Sequence, residues 1–563
     1  MRKEWVVLEA DNKPVEKLSK ELGVDKDVSK LLVLRGIRSY NEAKVFFRPS
    51  LSLINNPLLM KDIEKATLRI HQAIKNKERI LVYGDYDVDG TTSVALMYSF
   101  LKDINANVEY YLPCRYNEGY GLSVKAIENA KFQNYSLIIA LDCGIRALQQ
   151  VDIANSFGID IIICDHHKPG NLLPNAFAIL NPKQNNCNYP FKELSGCGVG
   201  FQLIRAYSNR YKIDNEKTFK YIDLLALSIF ADIVPLKGDN RILAYYGLKK
   251  IKENPNTGIK ALINLLNYNT NSIGSSNILF GIAPRINAAG RIDHAEKAVS
   301  LLIENDYVKA KNIANEIDTF NNYRKELQDQ MLEQAISLID KQKKSIVIER
   351  KNWHKGIVGI VSAKLVDIYH KPTIVFAEEK NMLTGSARSI EGFDMFKAIS
   401  QCNDLCEKFG GHKYACGLTI KKEKFNSFRE KFENIVVNDI DKKNLQPKLY
   451  IDLCIDIDNI SNKLIRIIKQ FEPHGPKNPK PLFMSKKVRV KKGLKQIGEK
   501  KNHLRMSIDS VNGAIQAVAF GFGNLFESVR DCKFINICYY IEENFWQDST
   551  SVQLNIQDIE LED

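Results

Sequence analysis

Three aspartates stand at alternate positions, Asp85, Asp87 and Asp89, in the stretch Ile80 to Val94, ILVYGDYDVDGTTSV. Carboxylates this close repel one another unless cations sit among them. Hard oxygen donors at the end of an apolar run suit Mg²⁺ or Mn²⁺. An acidic turn, or the start of a calcium loop, is the blander reading. The calcium loop lacks the glutamate required at its twelfth position, which is Phe100 counted from Asp89 and Leu96 counted from Asp85. Ile80-Leu81-Val82-Tyr83 reads as a buried strand. Gly90 allows a tight turn, and Thr91, Thr92 and Ser93 offer caps to a helix running on through Val94–Met97.

Further carboxylates follow three more apolar segments. Asp142 follows Leu137–Leu141, Asp165-His166-His167 follow Ile161–Cys164, and Asp232 follows Leu225–Ala231. A lone aspartate in such a place is usually a cap or turn residue; four segments delivering them in one region argue for a shared edge. Strand candidates Ile80–Tyr83, Val108–Leu112, Ser136–Leu141, Ile159–Cys164 and Phe177–Leu180 alternate with helical stretches Lys61–Lys75, Thr91–Leu101 and Arg146–Asn155. That alternation predicts a parallel α/β sheet covered on both faces, with ligands at the carboxyl ends of its strands. Five or six carboxylates and an imidazole can hold two divalent cations about 3.5–4 Å apart, activate a bridging water and stabilise charge on a phosphoryl oxygen. The imidazole shifts preference from Mg²⁺ towards Mn²⁺. Of two adjacent histidines at most one usually reaches the metal; the other can donate to a phosphate oxygen or a leaving group.

The rest of the chain must hold such a site. Its 563 residues exceed one core, so roughly three to four domains are expected. With 44% hydrophobic and 26% charged residues, the composition is that of a soluble globular protein. A net charge of +13 and a pI near 9.0 favour an anionic partner, nucleic acid before membrane. Eleven cysteines without a CxxC pair argue for reduced thiols in a cytoplasm. The start of the chain lacks the apolar core of a signal peptide, and no transmembrane run is seen.

Residues 1–60 read as an N-terminal helical segment without chemistry, and 61–303 as the α/β region of the aspartates. Within it, Ser195-Gly196-Cys197-Gly198-Val199-Gly200 precedes a helix; such a turn can bind phosphate or simply pack tightly. Pro284-Arg285-Ile286-Asn287-Ala288-Ala289-Gly290-Arg291 sets two arginines, Arg285 and Arg291, around small residues, a pattern suited to phosphate or to local carboxylates. Residues 304–342 carry one long helical stripe of Ile313, Ile317, Phe320, Met331, Ala335, Leu338 and Ile339. A smaller α/β segment spans 343–437, with Gly385-Ser386-Ala387-Arg388-Ser389 and Gly410-Gly411-His412. From 448 to 563 short β-rich pieces predict a small barrel. Eleven Lys or Arg face one acid between Pro473 and Arg505, and aromatics such as Phe483 and Phe520 suit base stacking.

GDYDVDG, LDCG, CDHHKPG and ADIVPL resemble the four motifs of the DHH phosphoesterase superfamily, in the order and spacing of its bacterial single-stranded-DNA exonuclease branch. PRINAAGR and HGPKNPKPLF resemble motifs of the same branch. The resemblance implies a multidomain α/β protein: a parallel-sheet DHH domain, a long linking helix, a DHHA1 domain and a C-terminal OB barrel. It implies two Mn²⁺ or Mg²⁺ ions held by Asp87, Asp89, bridging Asp142, His166 and Asp232. Asp85 and Asp165 would complete or orient that site, and His167 would polarise the phosphate. Many relatives carry a histidine where this chain has Tyr83, and Asp85 is the expected substitute. Ser386, Arg388 and His412 would meet nucleic acid near its 5′ end, with Arg285 and Arg291 on the same phosphates. The implied activity is 5′→3′ hydrolysis of single-stranded DNA in repair and recombination. Single-strand-binding protein and a helicase are the implied partners. A phosphodiesterase for short oligonucleotides or cyclic dinucleotides and a non-catalytic single-strand-binding scaffold are the alternatives.

Overall fold

Continuous apolar runs build a five-stranded parallel sheet in the computed structural model, which describes residues 3–115, 118, 119, 121–511, 513–546 and 549–562. Its strands are β1 (Arg79–Gly84), β2 (Val108–Tyr111), β3 (Tyr135–Leu141), β4 (Asp160–Cys164) and β5 (Ala178–Leu180), in the order β2-β1-β3-β4-β5. Ile80, Val82, Ile139 and Ile162 face one core; Leu81, Tyr83, Ile138 and Ile161 face another. Burial of both faces is why these runs show no polar alternation. On the first face lie α1 (Val88–Asp103), α2 (Gly196–Tyr211) and α3 (Ile222–Ala231). Helices Val124–Phe132 and Leu148–Ser156 cover the second.

The chain then turns through α4 (Ala283–Ile292), which has Pro284 in its first turn, into α5 (Tyr307–Ser337). Asp306 caps α5 by accepting the Lys309 N–H at 2.9 Å. Its 31 residues span about 46 Å at the usual rise. Ala310, Ala314 and Ile317 of its first half enter the large core of the first sheet. Met331 and Ala335 of its second half enter a different core with Ile346, Trp353 and Val358. The helix ends before Leu338, which is exposed.

That second core belongs to a mixed sheet of β6 (Ile346–Lys351), β7 (Thr373–Glu379), β8 (Met382–Arg388), β9 (Cys406–His412) and β10 (Ala415–Lys421). The order is β9-β10-β8-β7-β6, with only β6 and β7 parallel. Between them α6 (Val358–Tyr369) packs on β7 and β8.

Everything from Leu51 to Leu445 forms one compact unit; Met1–Ser50 and Gln446–Asp563 form a second. Residues 1–50 thus join the far end of the chain rather than standing apart as a segment with the next ten. Glu4–Val7 pairs in parallel with Lys448–Ile451. Leu18, Leu31, Leu32 and Phe46 share a core with Leu453, Phe471, Met506 and Tyr539. The OB region is a seven-stranded sheet, in the order Leu453–Cys454, Phe483–Val488, Phe534–Trp546, Ser549–Glu562, Ile515–Ala519, His503–Ile508, Val490–Ile497.

One expectation for this region changes. Phe483 is fully buried and stacked 6.1 Å from Tyr539, so it offers no face to a base; Phe520 is more than half exposed. In the HGPKNP stretch, Asn478 works inward. Its amide donates to the carbonyls of Phe471 (2.7 Å) and Pro473 (2.8 Å) and accepts from Arg35 Nε at 3.2 Å. Arg35 also pairs with buried Asp452 at 3.1 Å.

Candidate active site

The acidic side chains gather where β1, β3 and β4 end. Asp85 follows β1; Asp87 caps α1, its Oδ1 accepting the Gly90 N–H at 3.0 Å. Gly90 is required there, because a Cβ would come within 2.3 Å of the Asp85 carbonyl oxygen. Asp89, in the first turn of α1, reaches the start of α2. It accepts from Gly196 N (2.7 Å), Cys197 N (2.9 Å) and the Ser228 hydroxyl (2.7 Å). The glycine-rich stretch read as a turn before a helix is the first turn of α2 itself, and it holds a carboxylate on its N–H groups, which the helix dipole favours. Asp142 follows β3 with φ +60°, a conformation costly for an aspartate. Asp165, His166 and His167 follow β4, and Asp232 closes α3.

Three overlapping groups of donor atoms, each within 4.8 Å, result: Asp85-Asp87-Asp142, Asp89-His166-Asp232 and Asp142-His166-His167. His166 Nδ1 lies 3.0 Å from the Leu194 carbonyl, which can only accept, so Nδ1 carries the proton. Nε2 then turns its lone pair on Asp142 Oδ1 at 3.2 Å, Asp232 Oδ2 at 3.6 Å and Asp89 Oδ2 at 3.7 Å. Burial holds the imidazole below its ordinary pKa, so an extra proton is disfavoured. Asp85 Oδ1 is buried without a hydrogen-bond partner among the described residues. Burial, and then the neighbouring aspartates, push Asp85, Asp87, Asp142 and Asp232 above the carboxylate range. Lone pairs facing one another in a buried site need cations, and oxygen donors with one imidazole fit Mn²⁺ or Mg²⁺.

Asp165 and His167 form a separate pair. Against burial, the hydrogen bond from His167 Nδ1 at 2.8 Å holds Asp165 down at about 2. Burial lowers His167, but the same bond together with the charges of Asp165, Asp232 and Asp89 raises it to about 9. His167 is therefore an imidazolium at neutral pH, half exposed and 4.0 Å from Asp142 Oδ1. Tyr83 takes no part in this cluster. It lies on the other face of β1 and donates its hydroxyl to the Gly121 carbonyl at 2.8 Å.

Arginines collect beside the acids. Gly290 lets α4 approach the acidic loop, since a Cβ there would meet the Tyr86 carbonyl at 2.7 Å. Arg291, next in line, donates to the Gly356 carbonyl at 2.8 Å. Burial, then the like charges of Arg115, Arg324 and Arg388, bring it down to about 10. Arg388 ends β8 and donates to Ser386 Oγ (2.9 Å) and the Ala387 carbonyl (2.8 Å). Gly359 of α6 leaves room for both: a Cβ would be 3.1 Å from Ser386 Oγ and 3.3 Å from Arg388 Nη2. His412 lies on the same rung of the sheet as Arg388, with Ala415 between them, on exposed edge strand β9. Arg285 has other partners: Asp318 of α5 at 2.8 Å and the Gly281 carbonyl at 2.9 Å.

Arg115 was not a candidate from the sequence. It follows β2 in an irregular loop, 4.8 Å over the Tyr86 ring, and its charge acts on Asp85, Arg291, Arg388 and His354. Its place after a strand of the parallel sheet was the available signal.

Residues 79–229 match the DHH family, N-terminal domain; 342–438 match the DHHA1 domain; 451–558 match the RecJ OB domain. The single-stranded-DNA-specific exonuclease RecJ of Bacillus subtilis is 36% identical, over 98% of this chain and 70% of that protein. The Escherichia coli RecJ is 32% identical over 94% of this chain and 95% of its own length. The crystal structure of RecJ in complex with Mn²⁺ from Thermus thermophilus superposes with a TM-score of 0.86 at 25% identity, over all of this chain and 80% of that one. With three matched domains in one order and identity spread along nearly the whole length, this chain belongs to the RecJ family.

Proposed function

We propose that this chain is a metal-dependent exonuclease that removes 5′-mononucleotides from the 5′ end of single-stranded DNA during repair and recombination. The observation that carries the reading is a bipolar site. A carboxylate cluster that needs cations stands beside Arg291, on which Arg115, Arg324 and Arg388 act through like charge. A DNA end offers the complement: a terminal phosphate for the arginines and a phosphodiester next to it for the cations. The relatives' names as single-stranded-DNA-specific exonucleases and the Mn²⁺ in the Thermus structure support the same reading.

Asp89, His166 and Asp232 would hold one cation, Asp85 and Asp87 a second, and Asp142 both. When bound, the pair supplies Lewis-acid polarisation of the phosphodiester and of the attacking water. The protein's own groups do the rest. Asp165 keeps His167 charged and oriented, so that it faces a phosphoryl oxygen or the leaving group as a donor. Arg115, Arg291, Arg388 and Ser386 grip the terminal phosphate, and His412 tracks the strand nearby. Direction follows from that grip, because the bond delivered to the cations is the one next to the held end. Arg285, tied to Asp318, serves as a clamp between α4 and α5 rather than as a phosphate ligand.

The basic strands of the OB region, with exposed Phe520, track the single strand. Single-strand-binding protein and a helicase are the protein partners. Among the described residues no helix is long and apolar enough to cross a membrane, and the eleven free thiols suit the cytoplasm.

End-labelled single strands bearing 5′-phosphate or 5′-hydroxyl, a duplex and a cyclic dinucleotide, each with Mn²⁺, Mg²⁺ or EDTA, test the reading. Metal-dependent release of mononucleotides from the 5′-phosphate strand is expected, with Asp142→Ala silent while folded. Digestion from the 3′ end, or preference for the cyclic dinucleotide, overturns it.

A further inference from the structure

Arg115 lies between β2 and the helix Val124–Phe132, outside both elements, yet its charge acts on Asp85, on Arg291 and on Arg388. Something must hold it. The Glu118 carboxylate, half-buried, accepts from three donors. Both of its oxygens lie 2.9 Å from the Tyr111 hydroxyl; Oε1 accepts the Cys114 N–H at 3.0 Å and Oε2 the Ser123 hydroxyl at 2.6 Å. The Glu118 N–H returns to the Cys114 carbonyl at 2.9 Å, a second tie to the residue before Arg115. Ser123 also caps the following helix, accepting the Ala126 N–H at 3.1 Å. One carboxylate thus ties the end of β2, the residue before Arg115 and the next helix together.

The clamp has a second layer. Tyr83 stacks on Tyr111 at 5.6 Å and donates to the Gly121 carbonyl at 2.8 Å. Gly119 and Gly121 both have φ near +80°, where other residues are strained, and a Cβ on either would touch nothing within 4 Å. Those glycines serve the path of the loop rather than its packing. Glu118 makes no ion pair among the described residues; its carboxylate, despite burial, is held below its ordinary range by Ser123, Cys114 and Tyr111. Among the described residues its side chain bonds the end of β2, Cys114 and the cap of the next helix.

We propose that Glu118 is a positioning residue for the phosphate subsite: with Tyr111, Ser123 and Tyr83 it fixes the loop that presents Arg115 to the terminal phosphate. The proposal rests on the assignment of Arg115 to that subsite. Glu118 touches no substrate and acts only through Arg115. Its loss should therefore erode end preference rather than chemistry.

The test is carried out on the full chain with Mn²⁺, comparing kcat/KM on single strands bearing 5′-phosphate and 5′-hydroxyl. Glu118→Ala should lower the phosphate-to-hydroxyl ratio by roughly ten- to hundredfold, mainly through KM. Glu118→Gln, which keeps one acceptor oxygen, should fall between it and the unchanged protein. Arg115→Ala should lower the ratio too, and Arg115→Ala with Glu118→Ala should do no worse than Arg115→Ala alone. If Arg115→Ala lowers the ratio and Glu118→Ala only lowers Tm, the positioning role is overturned and the subsite stands. If Arg115→Ala leaves the ratio unchanged, both fall. Should Glu118→Ala fail to fold, Ser123→Ala and Tyr111→Phe each remove one donor. A loss of the ratio in both then upholds the clamp, and an unchanged ratio overturns it.

Discussion

At the scale of single residues, Gly196 shows how little room the acidic cluster has. A Cβ on it would lie 2.5 Å from Asp142 Oδ1 and 2.6 Å from Asp142 Cβ. Alanine would favour a helix by about 1 kcal/mol, yet here it must displace either Asp142 or the N–H groups that hold Asp89. Gly196→Ala is expected to cost about a hundredfold in turnover and to weaken Mn²⁺ binding measured by calorimetry. Near-normal values for both would mean that Asp142 tolerates the shift. Proton uptake gives a second test. Burial and mutual repulsion let Asp85, Asp142 and Asp232 keep protons above the ordinary carboxylate range. The metal-free folded state then binds more protons than the unfolded chain, and its stability falls as pH rises through that window. Cations remove this loss. Mn²⁺ should therefore raise Tm more at mildly alkaline than at mildly acid pH, staying below about 9, where His167 gives up its proton. A metal-induced Tm shift independent of pH counts against the crowded-carboxylate account. The convergence of these acids was legible in the sequence because strand ends in a parallel sheet share an edge. Arg115 was not, because its place after a strand is the one signal and a lone arginine there forms no motif. Phe483 misled because a short strand's aromatic reads the same buried or exposed.

At the scale of elements, α5 is the part that a stripe of apolar residues describes best and explains least. Periodicity marks Ile317 and Met331 alike, but Ile317 belongs to the core of the first sheet and Met331 to that of the second. One helix thus fixes two sheets, and with them the acids and Arg388. Arg285 reinforces it: its guanidinium, mostly buried, joins α4 to Asp318 of α5 and to the turn before α4. Removing either partner leaves the other half-buried and uncompensated, at a cost of about 1–3 kcal/mol. Arg285→Ala and Asp318→Ala should therefore destabilise alike and non-additively when combined, with end preference unchanged in both. A selective loss of 5′-phosphate preference in Arg285→Ala, absent in Asp318→Ala, would return Arg285 to the substrate. Elsewhere the strand pattern was incomplete. The strand Ser549–Glu562 carries no apolar run to mark it, because Gln553, Asn555 and Gln557 alternate with its buried residues.

At the scale of the molecule, the division into two units follows no boundary that local patterning could reveal. Glu4–Val7 is four residues long, and its partner strand begins at Lys448. Nothing within a short window shows that Leu18, Leu31, Leu32 and Phe46 need Leu453 and Phe471 to cover them. Truncation is therefore asymmetric. Deleting 446–563 alone strips those side chains and the buried Arg35 of their partners, since Asp452 and Asn478 leave with the barrel. An exposed apolar face and an unpaired buried cation predict aggregation. Deleting 1–50 as well removes the orphaned face and leaves Leu51–Leu445 with its own cores intact. The expected outcome is that the chain lacking only 446–563 is insoluble or oligomeric by size exclusion, while 51–445 is monomeric. The double truncation should still cleave very short oligonucleotides but bind long single strands weakly and with a shallower salt dependence, because the basic strands between Lys477 and Arg505 no longer release counterions. If the single truncation is as soluble and as heat-resistant as the double one, residues 1–50 fold without the barrel and the shared core carries no weight in stability.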